Sequence, residues 1–482
     1  MSITTRTNVR WALAVSLVVC ALVAATSGLA QETTGRLIGT VTMKSDQSAL
    51  PGVTVEAIHV PTGTKYTSST QANGRYTILN VRVGGPYTIT AQISGFRPQT
   101  QKDVQVALGE GRQVNFALEL ESVTEAVVVT AESAPLISPD RMGSTEAISE
   151  NEIKALPTIS RQFQDLARTN PYVNVAAYDE SATNISVSGK NNRYNTIQID
   201  GAVNNDLFGL AATGTPGGQA STQPISLDSI QELQVVVSPY DVKQGGFTGG
   251  AINAITRSGS NDFTASVYGT SRNENFIGDK VPRADGPASD KPYTTFQYDQ
   301  YGGRIGGPIL KDKLFFFLSG EINRRSEPTS GSADGSTSNV FKDPASAARF
   351  RDILINKYQY DPGGLSDYNT KTDSNLVFGR LDFNVNENHN VTLRHNYVDG
   401  SRDVAGARNF NTYTFETAGY AFADETNSTV AQVNSVFGNS SFNMGRVGFQ
   451  TIRDIRDVPV AFPSVYICNS PGQFCTGNGT YS

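Results

Sequence analysis

The feature that most constrains this chain is an alternation of apolar and polar residues in its second half. Across residues 377–385 the odd positions are mostly apolar, whereas Arg380, Asp382 and Asn384 share the other face. Residues 391–397 repeat the pattern. Successive side chains of a β-strand point to opposite faces, so both segments predict strands with one apolar face. Segments of about ten such residues separated by turns are typical of a transmembrane β-barrel, although a soluble β-sandwich gives the same alternation.

The overall composition favours strands and turns over helices. Gly accounts for 45 of the 482 residues, and only 17% of the chain is charged, against about 25% in an average soluble domain. The net charge of −6 argues against a nucleic-acid binder that relies on a basic surface. Three His and three Cys leave little material for a zinc enzyme. We therefore expect a mainly β protein.

The N-terminus has the pattern of an export signal. Arg6 and Arg10 precede an apolar run at 11–25, and small residues follow up to Ala30. This order predicts a secretory signal peptide at 1–30. The apolar run is shorter than the roughly 20 residues that a membrane-spanning helix needs.

Two cysteines near the C-terminus, Cys468 and Cys475, would remain after removal of that signal. Disulfides persist in the oxidising compartments outside the cytoplasm, so a small disulfide loop is a possible pairing. Two unpaired thiols are the alternative.

Residues 31–120 consist of short strand signals separated by turns, the pattern of a β-sandwich. The sequence LPGVTV at 50–55 joins a Pro-Gly turn to a strand, and NGRY at 73–76 contains the Asn-Gly pair that favours a hairpin. These motifs resemble the carboxypeptidase-regulatory-like domain. The resemblance implies a small transthyretin-like sandwich with a carbohydrate-binding-like fold, and it does not imply peptidase activity.

Residues 141–260 combine helix and strand signals. Ser149 and Glu152 have the spacing of a helix capping box. The sequences IDG at 199–201 and GGAIN at 249–253 resemble the plug domain of the TonB-dependent outer-membrane receptors. The plug motif residues implied by this resemblance are Asp200, Gly201, Gly249 and Gly250. An isolated catalytic carboxylate at the first of these positions is the alternative, but a Gly beside it favours a turn.

The sequences GGRIGGPI at 302–309 and KDKLFFF at 311–317 resemble the early barrel of the Oar-like branch of that receptor family, which carries the same N-terminal sandwich. The resemblance implies that residues 261–482 form the first strands of an antiparallel transmembrane β-barrel. Barrels of outer-membrane transporters have about 22 strands. At about ten residues per strand, this segment is too short for them, so we expect an N-terminal fragment of a longer receptor.

The resemblance implies a function as well as a fold. It implies a receptor of the outer membrane that takes up a peptide, a carbohydrate or a metal complex. A TonB-type periplasmic energy-coupling protein would move the plug. No cofactor and no nucleic acid are expected as partners. The alternative is a secreted or surface carbohydrate-binding or adhesive β-protein built on the sandwich.

Residues 121–140 form the predicted linker between sandwich and plug. They contain a short apolar strand signal at Val127, Val128 and Val129. In one interpretation this segment is exposed and adds as a strand to the sheet edge of a TonB-type protein, which would make it the TonB box. In the other, it is the last strand of the sandwich, followed by a tether.

No enzymatic motif stands out in the sequence. His59, His389 and His395 are scattered, and the last two would lie roughly 20 Å apart on one strand, too far for a shared metal ion. The Gly-rich stretch at 302–307 superficially resembles a nucleotide-binding loop, but no helix pattern follows it. We therefore expect neither catalytic nor metal-binding residues.

Overall fold

The computed structural model describes residues 33–458 except 110, 122–126, 131–143, 159–160, 176–184, 208, 210, 212, 239–247, 277–280, 284–285, 290–294, 330, 337–339 and 439–440. The predicted signal peptide at 1–30 and the possible disulfide between Cys468 and Cys475 lie outside these residues.

The N-terminal unit is a β-sandwich. Its strands are β1 (Thr34–Met43), β2 (Thr54–His59), β3 (Thr64–Ser69), β4 (Arg75–Arg82), β5 (Gly84–Gln92), β6 (Gln99–Val106), β7 (Gly111–Gln113), β8 (Phe116–Leu118) and β9 (Val127–Thr130). One sheet has the order β3-β2-β5-β6-β9, and the other has the order β4-β1-β7 with β8 also on β1. The pairs β1·β7, β1·β8 and β6·β9 are parallel.

The sandwich core follows from alternation within its strands. Val53, Val55 and Ala57 alternate with polar residues around the strand predicted after the Pro-Gly turn, and all three are fully buried. They pack in one cluster with the large side chains of Tyr76 and Tyr87. The hydroxyl of Tyr76 donates a hydrogen bond of 2.7 Å to the carbonyl of residue 114. The predicted sandwich is therefore confirmed.

The middle unit is the mixed α+β plug. It contains β10 (Ser144–Ile148), α1 (Glu150–Ala155), α2 (Phe163–Ala167), β11 (Val173–Val175), β12 (Ile185–Val187), β13 (Thr196–Ile199), β14 (Ala202–Val203), β15 (Ile230–Ser238) and β16 (Ala251–Thr256). Five strands form a sheet of order β10-β15-β16-β13-β14, and β11 pairs with β12. The predicted capping box is present at the start of α1, where Ser149 and Glu152 exchange hydrogen bonds.

The last unit is an antiparallel sheet of long strands. Its elements are β17 (Thr264–Asn273), β18 (Val281–Arg283), β19 (Gly286–Ser289), β20 (Gln297–Leu310), β21 (Leu314–Pro328), α3 (Pro344–Tyr358), β22 (Asn369–Asn384), β23 (His389–Val404), β24 (Tyr420–Phe437) and β25 (Ser441–Asp457). Seven strands pair in the order β17-β20-β21-β22-β23-β24-β25, and β18 pairs with β19. We call the seven-stranded sheet the barrel sheet.

The two ends of the barrel sheet differ in the length of their connections. At one end the strands are joined by residues 311–313, 385–388 and 438–440. At the other end they are joined by residues 274–296, 329–368 and 405–419. We call these the short-turn end and the long-loop end. In outer-membrane barrels short turns face the periplasm and long loops face outwards, and the same asymmetry is present here.

The two faces of the barrel sheet differ in polarity. The side chain of Leu393 is 45% exposed on the outward face, whereas its neighbour Arg394 is 2% exposed on the inward face. Leu381 and Val447 lie in register with Leu393 on the outward face. Towards the long-loop end the apolar band ends at a polar row of aligned residues, which consists of Asn375, Asp399, Glu425 and Arg453. The alternation predicted for 377–385 and 391–397 is therefore confirmed.

The strands of the barrel sheet are longer than the roughly ten residues expected. Strands β20 to β25 contain 14 to 18 residues. Beyond the polar row the outward residues of β22 and β23 are polar, so in these two strands the sequence alternation ends before the hydrogen-bonded ladder does. Among the described residues, the helices are all too short or too polar to span a bilayer.

His59 is the one ionisable side chain in the sandwich with a strongly lowered pKa among the residues described. Burial, together with the smaller effect of the positive charge of Arg82, lowers the pKa of its imidazole to about 3. Its Nδ1 lies 2.7 Å from the hydroxyl of Thr62, and its ring contacts that of Tyr87. The neutral imidazole is therefore part of the packed core.

We expect the stability of the sandwich to fall in acid because of His59. The unfolded chain takes up a proton near pH 6.5, whereas the folded chain does so only near pH 3. Between these values the free energy of unfolding should fall by about 1.4 kcal/mol per pH unit from this residue. Denaturant titrations of the 33–130 segment between pH 7 and pH 4 would measure the slope. The His59→Gln variant should show a shallower slope, and equal slopes would contradict the assignment.

The apolar band on the outward face predicts that the loss of folding free energy caused by an added charge depends on where along the strand the charge lies. The Leu393→Arg variant places a cation in the apolar band, and we expect a loss of about 2–4 kcal/mol, because lipid-facing charge is costly at the bilayer midplane. The matched Ser401→Arg variant lies on the same face of the same strand, beyond the polar row, and should cost about 0–1 kcal/mol. Folding titrations into lipid vesicles measure both. Equal losses would show that the band does not face lipid.

Candidate functional site

The turn between β13 and β14 is the point where charged groups join plug and barrel sheet. Asp200 is 7% exposed, and its carboxylate accepts hydrogen bonds of 2.8 Å from both the backbone N–H and the hydroxyl of Thr256. Strands β13 and β16 are parallel neighbours, so their C-terminal ends lie side by side. The carboxylate therefore ties the turn to the end of the adjacent plug strand.

Two barrel arginines approach the same carboxylate. The Nε of Arg394 lies 3.1 Å from one oxygen of Asp200, and the Nη1 of Arg380 lies 3.6 Å from the other. All three side chains are largely withdrawn from water. A buried charge is strongly destabilising without a partner. The plug carboxylate and the barrel guanidinium groups therefore stabilise one another.

Barrel arginines also bind the backbone of this turn. Arg394 donates a hydrogen bond of 2.6 Å to the carbonyl of Ile199, and Arg446 donates one of 2.6 Å to the carbonyl of Gly201. Hydrogen bonds from a charged donor are stronger than those between neutral groups. The two carbonyls flank Asp200, so the barrel sheet holds the turn on both sides.

A second buried carboxylate, Asp382 on β22, continues the arrangement. Arg380 makes a bidentate contact with it through Nε and Nη2, each at 2.8 Å. The hydroxyl of Thr392 donates to it at 2.9 Å. Arg82 of the sandwich lies 3.2 Å from it. We call these connected groups the charge network; its members are Asp200, Asp382, Arg82, Arg380 and Arg394.

Gly201 is required in this turn for two reasons. Its φ angle of +67° lies in the left-handed region, which favours glycine. A Cβ at this position would lie 2.8 Å from the Nη1 of Arg446. The absence of a side chain therefore allows the guanidinium group to reach the carbonyl.

Gly249 and Gly250 lie elsewhere in the plug and have a packing role. A Cβ on Gly249 would lie 2.2 Å from the side-chain oxygen of Asn195, and one on Gly250 would lie 2.7 Å from the side chain of Val187. Asn195 accepts a hydrogen bond from the N–H of Gly250 and donates one to the carbonyl of Ile185. These glycines allow β16 to approach β12 closely, and they do not join the charge network.

Val127, Val128 and Val129 form most of β9, the last strand in the order of the larger sandwich sheet. They pair in parallel with β6, where Val128 lies opposite Thr100. The segment therefore has a pairing partner on one side, which corresponds to the second interpretation of the sequence. Its other edge is the end of that sheet among the residues described.

A polar cavity of about 250 Å³ lies near the long-loop end of the barrel sheet. Its wall includes Thr329, Thr370 and the segment 402–408. Arg402 donates a hydrogen bond of 3.0 Å to the hydroxyl of Ser221 in the plug. The cavity is therefore next to the outer side of the plug.

Arg408 joins two of the long loops next to this cavity. Its guanidinium group lies 4.5 Å from the ring centre of Tyr368 and 4.8 Å from that of Tyr413. It also donates to the backbone carbonyls of Ser366 and Thr414. Cation–π contacts of a buried arginine stabilise such a junction. The loops 329–368 and 405–419 therefore form one connected surface.

The sequence did not identify the arginines that contact the Asp200 turn and Asp382. Arg380 and Arg394 were predicted only to lie on polar strand faces, and Arg82 and Arg446 were not singled out. The alternation of apolar and polar residues predicts that Arg380 and Arg394 lie on the inward face. It does not predict which residue of another domain they contact. Among the described residues, no group of three or more His, Cys, Asp or Glu side chains is placed to bind a metal ion.

Three parts of the sequence match known domains. Residues 36–119 match the carboxypeptidase regulatory-like domain, residues 138–252 match the TonB-dependent receptor plug domain, and residues 255–364 match an outer membrane beta barrel domain. The chain therefore combines a plug domain of the kind found in TonB-dependent receptors with part of an outer-membrane barrel domain. These two matches support a place for the chain in the outer membrane.

A curated relative of this chain is the TonB-dependent transporter Oar of Myxococcus xanthus. The two are 26% identical over 412 residues, which cover 82% of this chain and 36% of the relative. The chain thus spans about a third of the length of the curated relative that it matches.

Solved structures similar to this chain include an outer-membrane transporter and a siderophore receptor. The transporter YddB of Escherichia coli is 14% identical with a TM-score of 0.47, over 65% of this chain and 40% of that one. The siderophore receptor PirA of Acinetobacter baumannii is 14% identical with a TM-score of 0.41, over 64% of this chain and 40% of that one.

Two glycines of the plug offer a matched test of the turn. Gly189 and Gly201 both have left-handed backbones, but no atom lies within 4 Å of a Cβ built on Gly189. We expect Gly189→Ala to cost about 1 kcal/mol, because only the backbone is strained. Gly201→Ala should cost clearly more, because it also displaces Arg446. Denaturant titrations followed by circular dichroism measure both, and equal losses would contradict the role of Arg446.

Proposed function

We propose that this receptor takes up a ligand across the outer membrane and that a TonB-type periplasmic protein supplies the energy by displacing the plug. The attachment of the Asp200 turn to the inward face of the barrel sheet carries this proposal. A plug held there by buried charges blocks the route along that face. Transport therefore requires that these contacts break.

The strength of the attachment explains why energy has to be supplied. Removing one partner from a buried ion pair typically costs about 3–5 kcal/mol, and the plug turn contacts three barrel arginines. Apolar packing adds to this, because Phe317 and Phe378 of the barrel sheet belong to the same buried cluster as the plug core. Ser229 of the plug also shares a hydrogen bond of 2.6 Å with Ser319. Thermal opening of so many contacts together is rare.

The outer side offers a place for a polar ligand. The cavity beside the long loops has charged and hydroxyl groups in its wall. These groups suit a peptide, a carbohydrate or a metal complex, and the choice among the three stays open. Arg402 in the wall of the cavity donates a hydrogen bond to Ser221 of the plug. A bound ligand would therefore lie close enough to influence the plug.

The periplasmic partner would bind at β9. A strand of a partner protein can pair with an unpaired strand edge, so that the two proteins share one sheet. The main-chain hydrogen bonds then contribute most of the affinity. Among the residues described, strand β9 has such an edge, and it lies within the predicted linker at 121–140 between sandwich and plug. We propose that Val127, Val128 and Val129 form this contact. The domain boundaries at 31–120, 121–140, 141–260 and 261–482 are proposed as the corresponding functional parts.

The alternative function, a secreted or surface carbohydrate-binding or adhesive protein, is not favoured. It would use the sandwich alone and would leave the plug and the barrel sheet without a role. The domain matches at 138–252 and 255–364 support the transporter instead.

Two proline variants test the partner contact. Neighbouring residues of a strand direct their N–H groups to opposite edges, so one of Val127 and Val128 faces β6 and the other faces the open edge. Proline removes that N–H. We expect the edge-facing proline to weaken binding of the purified periplasmic domain of a TonB-type protein about tenfold or more, with the melting temperature of the sandwich unchanged. The other proline should lower that melting temperature.

Alanine variants at the same positions are the controls. Val127→Ala and Val128→Ala keep both N–H groups and should bind like the native receptor. If neither proline weakens binding while both proteins remain folded, β9 is not the contact.

A further inference from the structure

The sandwich is docked on the plug through side chains of β15. Glu232 accepts a hydrogen bond of 2.9 Å from the N–H of Leu108, and Gln234 donates one of 3.3 Å to the carbonyl of the same residue. Val83 and Leu108 of the sandwich form a small buried cluster with Ile255 of β16. The sandwich therefore covers part of the plug sheet at its second and third strands, β15 and β16.

The sandwich is also docked on the short-turn end of the barrel sheet. The N–H of Asn261 donates a hydrogen bond of 2.7 Å to the carbonyl of Pro61. The side-chain amide of Asn384 donates one of 3.0 Å to the hydroxyl of Thr64. These contacts come from Pro61 and Thr64, at the turn between β2 and β3, whereas the contacts with β15 come from Leu108. The sandwich therefore docks through two separate parts of its sequence.

Arg82 connects this docked surface to the charge network. Its side chain is 15% exposed, and its Nη2 lies 3.2 Å from Asp382. Its Nη1 donates a hydrogen bond of 2.8 Å to the hydroxyl of Ser258, just after β16. Asp382 in turn binds Arg380, which donates to the backbone and hydroxyl of Thr256. A single sandwich side chain thus contacts the barrel sheet and the plug terminus together.

Undocking of the sandwich would change the surroundings of the network. Asp382 would lose one of its two cationic partners, and water would reach the remaining pairs. Ion pairs weaken as the local dielectric constant rises. Because coupling between two equilibria is reciprocal, the plug is held more firmly when the sandwich is docked, and the sandwich docks more firmly when the plug is in place.

We propose that docking of the sandwich stabilises the plug in the barrel, with Arg82 as the residue that couples the two. The plug is released only after the sandwich has left the short-turn end. This role goes beyond the proposed transport function, because it concerns the retention of the plug in the resting protein. It can be tested without a transported ligand or a periplasmic partner.

The first test is hydrogen exchange on the complete receptor in lipid nanodiscs. In the Arg82→Ala variant we expect the amides of β16 to exchange about tenfold faster, because a hydrogen-bonded buried charge pair is lost. The control is Arg75→Ala, an exposed arginine on the same strand, β4. Its exchange rates should match those of the native receptor.

The second test compares two states of one molecule, so that a folding defect cannot imitate the effect. Cysteines replacing Thr64 and Asn384 would be bridged by oxidation or by a short bis-thiol reagent. The bridged receptor should exchange the β16 amides more slowly than the same receptor after reduction. The proposal is overturned if the bridged and reduced forms exchange at the same rate, or if Arg82→Ala leaves the β16 rates unchanged.

Discussion

Two buried carboxylates connect the three parts of this chain. Asp200 belongs to the plug and Asp382 to the barrel sheet, and neither can remain charged away from water without cationic partners. Arg380 lies between them and contacts both. Arg82 of the sandwich contacts Asp382. Arg446 of the barrel sheet donates to the carbonyl of Gly201, on the other side of the plug turn. The polar inward face of the barrel strands therefore binds the plug at the Asp200 turn.

Much of the fold was predictable because it depends on local periodicity. Alternation identified the faces of β22 and β23, and the spacing of Ser149 and Glu152 identified the start of α1. Strand β16 lacked such a signal, because all six of its residues are buried. A strand covered on both faces shows no period of two. Its sequence was recognised only through its resemblance to a plug motif.

The charge network was not predictable from one sequence. Arg82 and Asp382 are separated by 300 positions, and no local pattern links residues so far apart. Asp200 was interpreted as a turn residue because Gly201 follows it, and the structure places it in a turn with two carboxylate oxygens directed at arginines. The role of Val127–Val129 stayed open for a related reason. A run of valines predicts a strand but does not specify which neighbour it pairs with.

The use of backbone carbonyls as acceptors for Arg394 and Arg446 has a consequence for how such a protein can change over evolutionary time. A carbonyl is present whatever side chain the residue carries, so a substitution at Ile199 leaves the acceptor in place. The plug surface can therefore diverge in sequence while it keeps its hydrogen bonds to the barrel sheet. The constraint falls on the two arginines and on the glycine that leaves room for one of them. Homologous plugs that share little side-chain identity can still be held by the same barrel donors.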